Sequence, residues 1–110
     1  MGDLANAKCV PCEGTGEKAL SPEEVDRLLP DVPTWKLAKD RRSIARTFKF
    51  DDFVAAMKFV NRVADLAEAE GHHPDFHVHW NKVELVLWTH ALGGLHRNDF
   101  VVAAKIDRLA

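Results

Sequence analysis

Between Asp51 and Gly71 the chain carries one long helical signature, and the segments on either side of it read as strands. Asp51 and Asp52 supply capping carboxylates. Phe53, Ala56, Met57, Val60, Val63, Ala64 and Ala67 then recur at helical spacing up to a stop at Gly71. Roughly 18 helical residues make about five turns. Phe59 and Leu66 widen the apolar surface beyond one stripe, giving this helix area enough for both a sheet and a partner subunit. A helix so placed needs a sheet to cover, and the flanks supply one.

Residues 34–38 and 43–50 read as strands parted by the charged turn Lys39-Asp40-Arg41-Arg42. In the second, Ile44, Arg46, Phe48 and Phe50 share a mostly apolar face. Residues 75–80 and 83–89 read as an antiparallel hairpin around Asn81-Lys82. Phe76, Val78 and Trp80 lie opposite His77 and His79, while Val83, Leu85 and Leu87 lie opposite Glu84, Val86, Trp88 and His90. Ser21-Pro22-Glu23-Glu24 starts a short helix, with Ser21 as N-cap and a carboxylate three residues later, that ends before Pro30. Gly93-Gly94 breaks the pattern, and residues 97–109 close the chain as a helix with Asp99 in its first turn. The order α-β-β-α-β-β-α predicts an α+β fold, a four-stranded antiparallel sheet with three helices on one face. Residues 21–110 are expected to form this domain. Residues 1–20 read as a flexible arm, because few large apolar residues occur there, and its removal is expected to change little.

At 110 residues and 46% hydrophobic content, the chain suffices for one domain with a modest core. A net charge of −2 gives no electrostatic footprint for nucleic acid, and every apolar run is broken well before the ~18 residues a membrane span requires. Residues 1–8 lack the apolar core of an export signal, and the two cysteines do not suit a disulfide-built secreted domain, so a cytoplasmic location is expected.

The chemistry-bearing residues concentrate after the long helix. His72 and His73 stand side by side, stiffened by Pro74, and His90 follows the fourth strand. Histidine titrates near neutrality, so one ring can donate a proton while another accepts one at the same pH. Glu68, one helical turn before His72, is placed to orient that ring. Trp80 offers a flat apolar wall, though a core tryptophan in a strand is equally ordinary. His77 and His79 could imitate a metal pair, but no carboxylate or cysteine of suitable spacing accompanies them. Cys9-Val10-Pro11-Cys12 lacks both a thioredoxin-like context and a second ligand pair, and reads as passive.

The run Glu68-x3-His72-His73-Pro74-x5-Trp80-x9-His90-x8-Asp99 resembles the signature of the pterin-4a-carbinolamine dehydratases. Trp35 after Pro33, and Phe48-x-Phe50-x-Asp52-Phe53, also look like that family's second strand and long helix. The resemblance implies a cofactor-free hydro-lyase that converts a 4a-hydroxy-tetrahydropterin to quinonoid dihydropterin and water. His72 and His90 would be the acid/base pair, with His73 positioning the substrate. Glu68, Pro74, Trp80, Thr89, Ala91, Leu92 and Asp99 would form or hold the substrate site, with no metal. Family members often carry a small hydroxyl residue where His96 stands, so a weakened helix cap is expected there. Relatives form dimers and tetramers, which makes Phe59 an expected interface position. Two further readings compete: a non-catalytic binding or assembly module of the same fold, since relatives include a transcription-factor dimerisation cofactor and RuBisCO assembly factors, and a small metal-binding protein using Cys9, Cys12 and the histidines.

Overall fold

A computed structural model describes residues 4–10 and 18–110. Helix α1 (Pro22–Leu28) is followed by strands β1 (Lys36–Leu37) and β2 (Ile44–Lys49), helix α2 (Phe53–Glu70), strands β3 (Asp75–His79) and β4 (Lys82–Leu87), and helix α3 (Arg97–Leu109). The strands form one antiparallel sheet in the order β1-β2-β4-β3. The expected α+β fold is thus present. Ile44, Phe48, Val83, Leu85 and Leu87 are buried beneath the helices, while Thr47 is exposed and Glu84 and Val86 are half-buried on the other face.

Local chemistry explains the boundaries. The Ser21 hydroxyl accepts from the Glu24 amide, and the Glu24 carboxylate accepts from the Ser21 amide, which completes the expected capping box. That Ser21 amide bond is the main reason the Glu24 carboxyl titrates below its ordinary value. Helix α1 ends before Pro30 as expected, and the chain continues into a 3-10 turn, Leu29–Asp31, that accommodates the proline. Strand β1 is shorter than predicted. Trp35 turns inward before it, and its indole donates to Asp107 of α3 at 2.8 Å. Arg46 joins the same carboxylate at 2.6 Å, with its guanidinium 4.2 Å from the Phe48 ring centroid, so α3 is tied to the sheet through one acid.

Helix α2 begins where Asp52 accepts from the Ala55 amide and ends at Gly71, whose φ of 65° is left-handed backbone that glycine adopts without strain. Its buried line is Ala56, Phe59, Val63 and Ala67. Phe59 therefore requires a correction: at 4% exposure it belongs to the core, its ring packed at a tilt against Phe48 and Phe50 with centroids 4.7 Å and 5.0 Å away. The outward apolar residues are Phe53 and Val54, with Met57 and Val60 half-buried.

The N-terminal arm also departs from expectation. Leu4 is 3% exposed within the core cluster, and Ala7 and Cys9 pack against it. One large side chain and a few backbone bonds suffice to dock residues 4–10 of the arm despite its low apolar count. Cys12 lies outside the described residues.

Candidate active site

His72, His73 and Pro74 reach the site on the chain that leaves α2. The left-handed turn at Gly71 lets the His72 amide donate to the Ala67 carbonyl at 3.2 Å, and buried Pro74 sends the chain into β3. His90 arrives from the other side. Beyond β4, Thr89 and Gly94 bridge in antiparallel fashion, and between them a 3-10 turn, His90–Leu92, is closed by Gly93 at φ 65°. A Cβ on Gly94 would stand 3.0 Å from the Ala19 Cβ, so the return strand of this loop passes tightly against the segment before α1.

These elements border an open cavity of about 570 Å³, lined by His72, His73, Pro74, Trp88, Thr89, His90 and Ala91 together with Val10, Gly71, Asp75 and Asn98. Six of the ten residues singled out from sequence therefore share one cavity. Two more act from behind or beside it. Asp99 is fully buried in the first turn of α3, with Oδ1 2.5 Å from His72 Nε2. Its Oδ2 accepts from the Thr89 hydroxyl at 2.8 Å and from the His96 amide at 3.0 Å. An ionised carboxylate can only accept in such a bond, so the His72 Nε2 carries a proton, and in the neutral ring Nδ1 holds the lone pair. Glu68 meets His73, with Oε2 2.6 Å from its Nε2, whereas His72 was the expected partner. The chain reversal at Gly71 turns His72 inward toward α3 and leaves the His73 ring beside the exposed helix end.

Leu92 and Trp80 fall outside the cavity. Leu92 is half-buried in the loop that carries His90. Trp80 is corrected as a wall of this cavity: it sits at the hairpin turn, 65% exposed, with φ 49°, and the whole of β3 separates it from Pro74. Five strand residues span roughly 17 Å. The neighbouring Asn81 anchors that turn to Phe50 through two hydrogen bonds, which holds Trp80 in its left-handed conformation.

Trp88, not Trp80, lines the cavity. Its ring lies 3.9 Å from that of His90, centroid to centroid and 33° from parallel, while its indole N–H donates to Asp75 at 3.3 Å. The alternation that put Trp88 and His90 on one strand face already carried this signal. Val10 and Asn98 had no comparable signal, because their proximity depends on the docked arm. His96 corrects another expectation: its Nδ1 accepts from the Asn98 amide at 3.0 Å and its own amide binds Asp99, so the imidazole caps α3 in place of a hydroxyl.

Among the described residues no group of three or more histidine, cysteine or acidic side chains is placed to hold a metal ion, and His77 and His79 are exposed on β3. Cys9 is far from a reactive thiol. Burial first, and then the neighbouring Glu70 carboxylate, push its pKa up to about 12. Glu70 is held below its ordinary range chiefly by the Cys9 amide, which donates to it at 3.0 Å, with Lys105 alongside at 3.3 Å.

Comparison with known proteins bears on this site directly. A protein of Chlorobaculum tepidum provisionally named pterin-4-alpha-carbinolamine dehydratase is 48% identical over 99% of both chains. The mitochondrial pterin-4-alpha-carbinolamine dehydratase 2 of Arabidopsis thaliana is 45% identical over 99% of this chain and 60% of its own length. A crystal structure from Brucella melitensis, described as a transcriptional coactivator/pterin dehydratase, superposes with a TM-score of 0.80 at 32% identity, covering 84% of this chain and 99% of that one. The family model described as pterin 4 alpha carbinolamine dehydratase matches residues 18–109, which include every element from α1 to α3, and the chain belongs to that family.

Proposed function

We propose that this chain is a hydro-lyase that dehydrates a 4a-hydroxy-tetrahydropterin, with His72 and His90 as its acid/base pair. The observation that carries the reading is the buried Asp99–His72 pair facing the same cavity as His90. Elimination removes the proton from N5 of the pterin, forms the C4a–N5 double bond with that electron pair, and breaks the C4a–O bond as the hydroxyl takes a proton and departs as water. One ring must accept while the other donates, and the protein as a whole gains and loses one proton. Asp99 holds His72 in a single tautomer and orientation, so its Nδ1 is ready without rearrangement. His90, stacked on Trp88, presents its ring at the other side of the cavity. His73 positions the substrate, assisted by Glu68. Pro74, Thr89 and Ala91 form the surrounding wall.

We assign residues 21–110 to the catalytic domain and place the enzyme in the cytoplasm; no helix among the described residues is long and apolar enough to cross a membrane. The outward residues Phe53 and Val54 of α2, the half-buried Met57, and the edge strand β3 suit a homodimer or homotetramer. The decisive experiment incubates the protein with freshly generated 4a-hydroxy-tetrahydropterin and follows quinonoid product. A rate well above the spontaneous one is expected. A rate equal to it would favour the non-catalytic binding or assembly module.

A further inference from the structure

The segment before α1 carries a feature that dehydration chemistry does not require: it is fastened across one side of the cavity. Leu4 is buried among core residues, and the Ala7 amide closes a 3-10 turn on the Leu4 carbonyl at 3.0 Å. Three residues later Asn98, itself 3% exposed, grips the backbone of Val10 with both ends of its amide. Its Oδ1 accepts from the Val10 N–H at 3.0 Å, and its Nδ2 donates to the Val10 carbonyl at 2.6 Å. A side-chain amide used this way reproduces the paired bonds of a β-ladder and leaves neither partner unsatisfied. Cys9 adds two bonds beside it, from its amide to Glu70 at 3.0 Å and from its thiol to the Asn98 carbonyl at 3.7 Å.

Thus fixed, Val10 lines the cavity while remaining 52% exposed. The first turn of α3 thereby serves two ends, with Asp99 reaching His72 and the adjacent Asn98 reaching the arm. We propose that residues 4–10 form a strap that walls the pterin cavity, with Val10 a specificity-determining residue and Asn98 the positioning residue that holds it there. This inference rests on the reading of the His72–His90 cavity as the dehydration site. An apolar side chain beside a flat bicyclic ring removes water from it equally in the ground state and the transition state. Such uniform binding lowers KM and leaves kcat nearly untouched. Its size also limits the bulk that the cavity admits.

The test is steady-state kinetics of the full-length protein on two 4a-hydroxy-tetrahydropterins that differ only in the bulk of the substituent on the reduced ring. Val10→Asp and Asn98→Ala are each expected to raise KM by roughly 5- to 20-fold with kcat within about threefold of wild type. Val10→Trp is expected to discriminate against the bulkier substrate by roughly 10-fold relative to the smaller one. Val10 is exposed, so its variants report on the cavity without loss of the fold, and a thermal midpoint for Asn98→Ala separates a loosened helix start from a released strap. Unchanged KM in both Val10 variants, alongside an active wild type, overturns the strap while leaving the dehydration site standing. A wild-type protein with no rate above the spontaneous one overturns both.

Discussion

His72 and His73 are neighbours in the chain, and each has a carboxylate at its Nε2, at 2.5 Å and 2.6 Å, yet the two pairs differ in everything except length. The first has side chains 11% and 0% exposed, with Asp99 further fixed by Thr89 and the His96 amide. The second has side chains 56% and 79% exposed. Water and salt screen the exposed pair, and ordering two mobile side chains offsets much of its attraction. In the buried pair the low local dielectric strengthens each bond and makes any broken one costly. Distance alone therefore ranks these histidines as equals, and burial separates them. The His72 ring is fixed in one orientation, whereas the His73 ring can reorient.

That contrast is open to direct tests. The largest effect is expected from His72→Ala and His90→Ala, each lowering the dehydration rate by roughly 10²- to 10⁴-fold in single-turnover assays, while the exposed His77→Ala stays close to wild type. Similar losses at all three positions would show that the cavity does not select the reacting rings.

Asp99→Asn should come next. It is expected to lower kcat by roughly 10- to 100-fold with KM little changed, because the amide can offer its N–H to His72 and reverse the tautomer. Asp99→Ala leaves three donors without an acceptor and is expected to lower unfolding free energy by about 3 kcal/mol in denaturant titrations. Asp99 variants with wild-type kcat and pH profile would reduce the buried pair to scaffolding.

A third test reads the arm through its thiol. With its pKa raised to about 12, Cys9 is a neutral thiol across the neutral range, and alkylation at pH 8 followed by peptide mapping should be at least ~10²-fold slower in the folded protein than in denaturant. A folded-state pKa above the ordinary 9.0 favours the protonated form, so this contribution is complete below pH 9 and is lost as pH rises toward 12. Glu70 acts in the opposite sense: its lowered pKa gives a contribution that is present above the ordinary carboxylate value and fades as pH falls below it. Equal alkylation rates in folded and unfolded protein would mean that the arm is open.

The smallest effect belongs to Glu68→Gln, expected to change stability by less than ~0.5 kcal/mol and kcat by less than about threefold. A loss comparable to that of Asp99→Asn would erase the distinction between the two pairs.

Much of the scaffold was legible because its signals are local. Ser21 with Glu24, Asp52, and Gly71 mark helix ends through bonds made within one turn, and the alternation of Val83, Leu85 and Leu87 declares which face of β4 is buried. The histidines were legible for a different reason, since the residue types and spacing match a family signature. Helical periodicity was less informative about α2. It identified the helix, but it could not divide the apolar residues between the core, where Phe59 and Val63 lie, and the outer surface, where Phe53 and Val54 lie. That division depends on which side of the helix meets the sheet.

Sequence by itself determined the order of elements, the caps of α1 and α2 and the set of ionisable groups available, because each depends on neighbours within a few residues or on residue type. Tertiary structure alone decided the pairings: Asp99 with His72, Glu68 with His73, and Val10 with Asn98. Each joins groups whose separation is set by how the end of α2, the loop after β4 and the start of α3 converge, and side-chain direction at a chain reversal such as Gly71 is fixed by that convergence rather than by spacing along the chain.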